Sequence, residues 1–500
     1  MLKKSEKKQT KKSVKATEKK KKRNILLIGS EAFPFSGPGV LGETIGSLAR
    51  ALNDSGECDA RVILPLYEGI PQEYRAKMKF VCWTFVKLSW RNQYCGLFML
   101  KEGNTVYYFI DNEYYFKRNS LYGYDDDGER FAFFSKAVLD IIPHLDFAPD
   151  LLHCNDWQTA LVPIYYKLFY MYSNGYEVIK TVFSIHNIEY QGWFNRESIG
   201  DLLGIPEHEF ASMEHLGRIN LLRGVIDYAD MISTVSPSYA NEITLAEHGN
   251  GLDWALQLNK NKLRGILNGI DANEYNPQSD RALAANYSID DRSGKTVDKA
   301  ELQKLLWLPI NKNVPVIVMI ARLVASNGVD IVREALPEII KRGVQFIVLG
   351  AGDSEHEEYF KRMQDEHDDC VRLVTQFDNV FLHKVYAGAD ILLVPSKIAP
   401  CGISQMAACR YGTVPVVRET GGLNDSIVDA YNGDMGNGYK FARYAPDDLV
   451  NAIDRAVGLY RDYNDKWQGL MSRAMRSDFS WSESAKEYVK MYSELLNLGN

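Results

Sequence analysis

The sequence predicts an α/β protein made of two doubly wound, Rossmann-like domains that face each other across a cleft. Apolar runs of strand length alternate with helical stretches along most of the chain. That alternation breaks in a polar segment from residue 273 and restarts near 313, which divides the chain into two such units. Several strands end on turns rich in Gly, Pro and small polar residues, as open parallel sheets do where they receive ligands.

Residues 1–23 come first and stand apart. They hold eleven Lys, Arg23 and two Glu, a net +10, which leaves −17 for residues 24–500 against −7 overall. Almost no apolar residue interrupts this tail, so it cannot bury enough surface to fold and is expected to be disordered. Its KKKKR run at 19–23 could attract an anionic polymer or the acidic body itself; its partner is left open, and a solvated tail with no specific partner is the plainer reading. Nucleic acid is not expected as the main substrate, because the acidic body lacks the clustered Lys and Arg that neutralise phosphates.

The body has the composition of a globular protein, 46% hydrophobic and 25% charged over 500 residues. No apolar run approaches the ~20 residues of a membrane span, and no h-region of ~7–15 apolar residues opens the chain. A cytoplasmic protein without membrane contact is therefore expected. Seven scattered cysteines, never spaced Cys-x-x-Cys, suggest reduced thiols rather than disulfides or zinc.

The first domain, residues 24–272, opens with NILLIGS, a turn (FSGPG), a helix over Leu41 to Leu52 and a second strand, DARVILPL. Strands follow at DLLHCN (150–155), TVFSIHN (181–187) and MISTVS (231–236), with a helix beginning near Trp157. Their buried character predicts a parallel sheet covered by helices on both faces. Residues 273–312 read as the interdomain connection, its polar part ending near Lys295. In the second domain, 313–480, strands VPVIVMI, VQFIVLG, ADILLVP and VPVVRE alternate with helices. Residues 481–500 form an amphipathic C-terminal helix that packs on one domain or the other.

The run from Val394 to Leu423, VPSKIAPCGISQMAACRYGTVPVVRETGGL, concentrates the chemistry. Thr420, Gly421 and Gly422 are expected to present bare backbone N–H groups at a helix start, where peptide dipoles favour a phosphate. Ala399, in the turn before Pro400, stands where a sugar-binding site would want a carboxylate.

Together the motifs resemble the bacterial glycogen synthases and plant starch synthases, retaining glucosyltransferases of the GT-B fold. The words are SEAFPF (30–35), IDNEYYF (110–116), GERFAFFSKA (128–137), HCNDWQTALVP (153–163) and SIHNIEYQG (184–192). They continue through YADMISTVSPSYANEI (228–243), ILNGID (266–271), ARLV (321–324) and PCGISQ (400–405). The resemblance implies glucose transfer from ADP-glucose to the non-reducing end of an α-1,4-glucan with retention, needing neither cofactor nor metal. As the glycosidic bond breaks, charge grows on the diphosphate while the sugar becomes oxocarbenium-like, so cations must face one side and electron-rich oxygens the other.

By the same resemblance Arg322 holds the donor phosphates and His186 lies beside the donor glucose, the two catalytic candidates. Gly39 joins Arg322, Thr420, Gly421 and Gly422 in the donor site. Asp156, Trp157, Tyr190 and Gln191 line the cleft, although Asp156 also reads as a helix N-cap, Trp157 as core, and Tyr190 and Gln191 equally as structural residues. Four positions depart from the family pattern: Gly37 replaces a lysine, Val40 a glycine, Asn327 a second lysine and Ala399 a glutamate. These departures predict impaired catalysis, and two functions remain: a working glucan synthase, or a non-catalytic relative that binds glucan or serves as a regulatory partner in glycogen metabolism.

Overall fold

The computed structural model describes residues 22–37 and 39–497, apart from the side chains at 432 and 434. The expected disorder of the Lys-rich tail falls, up to residue 21, outside the described residues, and so does Pro38.

The N-terminal half contains β1 (Arg23–Ile28), β2 (Cys58–Pro65), β3 (Lys79–Leu88), β4 (Arg91–Glu102), β5 (Thr105–Asp111) and β6 (Leu151–Asn155). It continues with β7 (Lys180–Ile185), β8 (Trp193–Phe194), β9 (Glu214–His215), β10 (Arg218–Asn220), β11 (Met231–Thr234) and β12 (Leu263–Gly265). Nine strands form one sheet in the order β12-β11-β7-β6-β1-β2-β5-β4-β3. From β12 to β5 every pair is parallel, and residues such as Leu26, Leu27, Val62 and Phe183 are fully buried between helical layers. The sheet is not wholly parallel, however, because β4 runs antiparallel to both β5 and β3. The physical reason lies in β3, whose side chains alternate between a covered face (Val86, Leu88) and an exposed one (Trp83, Phe85), the pattern of an antiparallel sheet with one wet face. A small antiparallel sheet, β8-β10-β9, lies apart from it.

The second sheet is parallel throughout: β13 (Val316–Ile320), β14 (Gln345–Leu349), β15 (Val371–Val374), β16 (Ile391–Val394), β17 (Val414–Arg418) and β18 (Tyr439–Phe441), in the order β15-β14-β13-β16-β17-β18. Each sheet reverses its winding direction at one place, between β1 and β6 in the first and between β13 and β16 in the second. Ligands of doubly wound sheets bind outside the carboxyl ends of the strands at such switch points. The candidate residue Asp156 follows β6 directly, and Arg322 lies two residues past the end of β13.

Two helices outside the sheets each anchor to one domain. The helix Ser293–Leu305 drives Lys299 into the amino end of the second sheet, where its ammonium donates to Asp390 Oδ2 (2.6 Å), to the carbonyls of Val314 and Lys312, and to the Tyr460 hydroxyl. Asp390 in turn accepts from the Val316 amide at 2.8 Å, which pins the start of β13. The C-terminal helix Trp481–Asn497 leaves the second domain and packs on the first: Tyr488, Tyr492 and Leu495 enter its core, and the Tyr492 hydroxyl bonds to His153 Nδ1 at 2.7 Å. No helix among the described residues is long and apolar enough to cross a membrane.

Removing one member of a buried ion pair leaves the other charge uncompensated, at a typical cost of about 3–5 kcal/mol. Asp390→Ala is expected to lower stability toward denaturant by about that amount, with Asp390→Asn losing less because the amide still accepts from Val316. Equilibrium urea unfolding of the two variants measures it.

Candidate active site

At the carboxyl end of β6, Asp156 adopts φ 57°, ψ 175°, a backbone region almost reserved for glycine, which costs about 1–3 kcal/mol. It sits at the start of a short helical turn but its carboxylate does not cap that turn. Instead Oδ1 accepts from the His186 amide at 2.8 Å, and the Asn187 amide donates to the same carboxylate. The N-cap reading of Asp156 is thereby corrected: the side chain fixes the loop after β7 rather than its own helix. Burial pushes the Asp156 carboxyl up to about 7, with the nearby Glu31 carboxylate adding to the rise and the two amides opposing it.

His186 is held on its other side by Asn155. The Asn155 amide nitrogen donates to the carbonyls of Ile28 (3.1 Å) and His153 (3.2 Å), so its oxygen is the acceptor for His186 Nε2 at 3.0 Å. That fixes the proton on Nε2 and leaves Nδ1 as a bare acceptor, buried and unpartnered among the described residues. Burial lowers the imidazole to about 4, so His186 is neutral near pH 7.

The loop after β1 closes tightly at Gly37. Gly37 has φ +74°, and a Cβ placed there would lie 1.6 Å from Glu31 Oε2. The Glu31 carboxylate occupies that space, accepting from the Tyr122 hydroxyl at 2.6 Å and from the Gly42 amide, and burial raises its pKa. Gly39 is the N-cap of the helix Val40–Asp54 in extended conformation, and Val40 begins that helix, largely exposed. The turn is made by Gly37, so valine at 40 meets no demand for positive φ.

Across the cleft, Arg322 follows β13 with its side chain exposed and unpaired among the described residues. Asn327 binds the Arg322 carbonyl through its side-chain amide at 2.8 Å, closing the turn in place of the cation expected there. The same turn meets the end of β16, where the Lys397 amide donates to Ser326 O at 2.9 Å. The exposed Lys397 ammonium lies 5.9 Å from the Tyr444 ring, and the Tyr444 hydroxyl bonds Ala325 O at 3.0 Å. A second cation therefore stands beside the Asn327 turn. The exposed ring of Phe377 follows β15 on the same edge of the sheet.

The expectation of bare amides at Thr420-Gly421-Gly422 is corrected, because all three are engaged. Thr420 N donates to Arg418 O (2.9 Å), Gly422 N to Ala399 O (3.1 Å), and Gly421 N to Glu242 Oε1 (2.8 Å) on the helix Pro237–Glu242 of the first domain. The Thr420 hydroxyl also reaches Glu242 Oε2 at 3.2 Å. A carboxylate already satisfies the turn, and a phosphate would have to displace it. The glycines answer a packing need instead: Gly421 has φ +44°, and Cβ atoms at 421 and 422 would lie 1.9 Å from Ala399 O and 2.1 Å from Cys401 O. Around them Ser238 donates to the Asp425 carboxylate through both N (2.8 Å) and Oγ (2.6 Å), and Ser236 Oγ donates to Pro400 O at 2.9 Å. The residues form a seam between the domains. Ala399 is buried in it.

Of the remaining candidates, Trp157 is half-buried against Phe131 and Phe194, and Gln191 is buried, bonding the Ile188 and Asn250 carbonyls and the Asn220 amide. Both are held as scaffold by these contacts. Tyr190 is exposed. Sequence reading missed Glu31, Asn155 and Glu242, although each stands inside a quoted motif; nothing linear shows that Glu242 crosses to the other domain.

Two doubly wound domains, with a neutral histidine after β7 of the first sheet and, at the switch point of the second, an arginine unpaired among the described residues, have the architecture of a glycosyltransferase of the GT-B class. Residues 24–258 match the family description "Starch synthase catalytic domain", and 314–458 match "Glycosyl transferases group 1". A glycogen synthase of Clostridium botulinum (strain Alaska E43 / Type E3) is 43% identical over 476 residues, covering 94% of this chain and 99% of that protein. One from Desulforamulus reducens is 42% identical over 480 residues, 95% of this chain and 99% of its own. Among solved structures, the catalytic domain of starch synthase IV from Arabidopsis thaliana, bound to ADP and acarbose, superposes with a TM-score of 0.86 at 30% identity over 95% of this chain and all of that one. Sucrose-phosphate synthase from Thermosynechococcus elongatus shares the fold at a TM-score of 0.58 and 16% identity, over 95% of this chain and all of its own. The chain belongs to the glycogen synthase/starch synthase family.

The two shifted groups move stability in opposite directions with pH. Asp156 is raised, so its contribution is full below its ordinary value of 3.8 and is lost as pH rises to about 7; His186 is lowered, so its contribution is full above 6.5 and is lost as pH falls to about 4. Asp156→Asn keeps an oxygen for the two amides and cannot ionise. Its stability relative to the unmodified chain is expected to climb between pH 4 and 7, by up to about 4 kcal/mol at ~1.4 kcal/mol per tenfold, and to level off above that. Denaturation midpoints of both proteins across pH 4–8 measure the difference.

Proposed function

We propose that the protein transfers glucose from ADP-glucose to the non-reducing end of an α-1,4-glucan, with retention. The observation that carries this reading is Arg322: an exposed guanidinium, unpaired among the described residues, at the switch point of the second sheet, with Lys397 beside the adjoining turn. Two cations at that edge suit a diphosphate whose charge grows as the glycosidic bond breaks. ADP is favoured because the starch synthase IV relative binds it.

On the opposite edge the chain offers oxygen and nitrogen lone pairs rather than cations. His186 is neutral, and its orientation is set by Asn155 and Asp156, so Nδ1 and the neighbouring carbonyls can accept sugar hydroxyls without repelling an oxocarbenium-like ring. Ala399 contributes no carboxylate to this site, and Asn327 contributes no charge. These losses are expected to slow transfer, a single missing electrostatic contact costing ~10²–10³ in rate. The phosphate role moves from Thr420-Gly421-Gly422 to the Arg322 edge, because the turn is committed to Glu242.

Labelled ADP-glucose supplied with glycogen tests this directly. The unmodified chain is expected to incorporate label, Arg322→Ala to lose ~10²–10³ in kcat/KM, and Asn327→Lys to gain. Gly37→Lys is expected to give no gain, since its side chain collides with Glu31. No incorporation, with ADP and glycogen both still bound, would overturn transfer and leave a non-catalytic binding protein.

A further inference from the structure

The hairpin β3–β4 leaves one face uncovered, and its composition is unusual. Opposed residues along that face are Phe80 and Phe98, Trp83 and Gly96, Phe85 and Tyr94, then Lys87 and Asn92. Phe80, Trp83 and Phe85 are 54%, 57% and 52% exposed. Trp83 and Phe85 meet edge to face at 5.6 Å, and Phe80 and Phe98 at 5.4 Å. A side chain at 96 would strike the Tyr94 hydroxyl at 2.5 Å, so Tyr94 lies along the strand over Gly96, its hydroxyl bonded to the Asp111 carboxylate. The result is a row of rings on the order of 17 Å long, at ~3.4 Å per residue, edged by groups that hydrogen-bond hydroxyls: Asp111, Lys87 and Asn92.

A second copy of the chain is a poor occupant. An antiparallel pairing of β3 with its twin centred on Trp83 would set Lys79 against Lys87 twice, and the bulge between Phe80 and Cys82 breaks the edge ladder. A neutral, hydroxyl-rich chain with apolar ring faces meets neither obstacle. The row also reaches the carboxyl edge of the sheet, the edge on which the candidate site lies. Gly96 pairs with Asp111, the last residue of β5, so Trp83 is level with the carboxyl end of the sheet and Phe85 and Tyr94 lie beyond it. Glu31 and Asp156 follow β1 and β6 on that same edge.

We propose that this face is an anchoring site for an α-glucan, outside the cleft, which holds the polymer while its non-reducing ends reach the Arg322–His186 site. It rests on the reading of glucan as acceptor, but its test does not depend on transfer. In affinity electrophoresis of the full chain through gels containing glycogen, the double variant Trp83→Ala/Phe85→Ala is expected to bind glycogen roughly tenfold more weakly, with ADP affinity unchanged. In the unmodified chain, maltoheptaose is expected to shield Trp83 from oxidative labelling read by mass spectrometry, while the exposed Trp307 of the other domain stays reactive. Unchanged retention of the variant, or unshielded Trp83, overturns the proposal. So does a dimer, seen by light scattering, that the double variant dissociates while glycogen retention stays the same. Trp83-dependent binding in a chain that transfers no glucose would sink the catalytic reading alone; full transfer with retention indifferent to Trp83 would sink only this one.

Discussion

Everything at the cleft depends on how closely the 399–401 backbone approaches the Gly421–Gly422 turn. No side chain fits between them. This contact seats Cys401 and Met406 in the core of the first domain, with Ile398 and Ile403 packed against it, so the second domain's loop becomes part of the first domain's interior. Glu242 then closes the seam by answering the Gly421 amide with a carboxylate. Two domains that could otherwise hinge freely acquire a defined junction, beside which the strand ends of both sheets converge.

That junction assigns separate tasks to features that look alike in sequence. A glycine turn before a helix reads as a phosphate cradle, yet here it serves packing and an internal anion. Arg322, read from the sequence as a phosphate-holding arginine, has no partner among the described residues, whereas other arginines such as Arg61, Arg91 and Arg342 are paired. His186 gains its character from burial and from Asn155 rather than from an acidic partner, which makes it a fixed neutral dipole. The strained backbone of Asp156 is compatible with that role, since the carboxylate must turn away from its own helix to hold the histidine loop.

Much of the fold was legible because buried parallel strands are nearly continuous apolar runs. NILLIGS, VPVIVMI and VQFIVLG became β1, β13 and β14 with ends shifted by a residue or two. The antiparallel hairpin was not legible, since its strands mix exposed aromatics with buried aliphatics and carry no turn residue stronger than Ser89. At the site, sequence located Asp156, His186 and Arg322 but not their partners. Glu31 filling the space a Cβ at 37 would need, and Glu242 reaching Gly421 across 179 positions of chain, are products of tertiary approach that no local pattern encodes.

Whether the Gly421 turn belongs to the seam or to the donor can be read from a single titration, calorimetry of ADP binding to Glu242→Ala beside the unmodified chain. If Glu242 is a clasp and phosphate binds at the Arg322 edge, the variant loses thermal stability and binds ADP no more tightly. If the turn is the phosphate site with Glu242 as its internal competitor, removing the carboxylate tightens ADP about tenfold or more, and that result would contradict the seam.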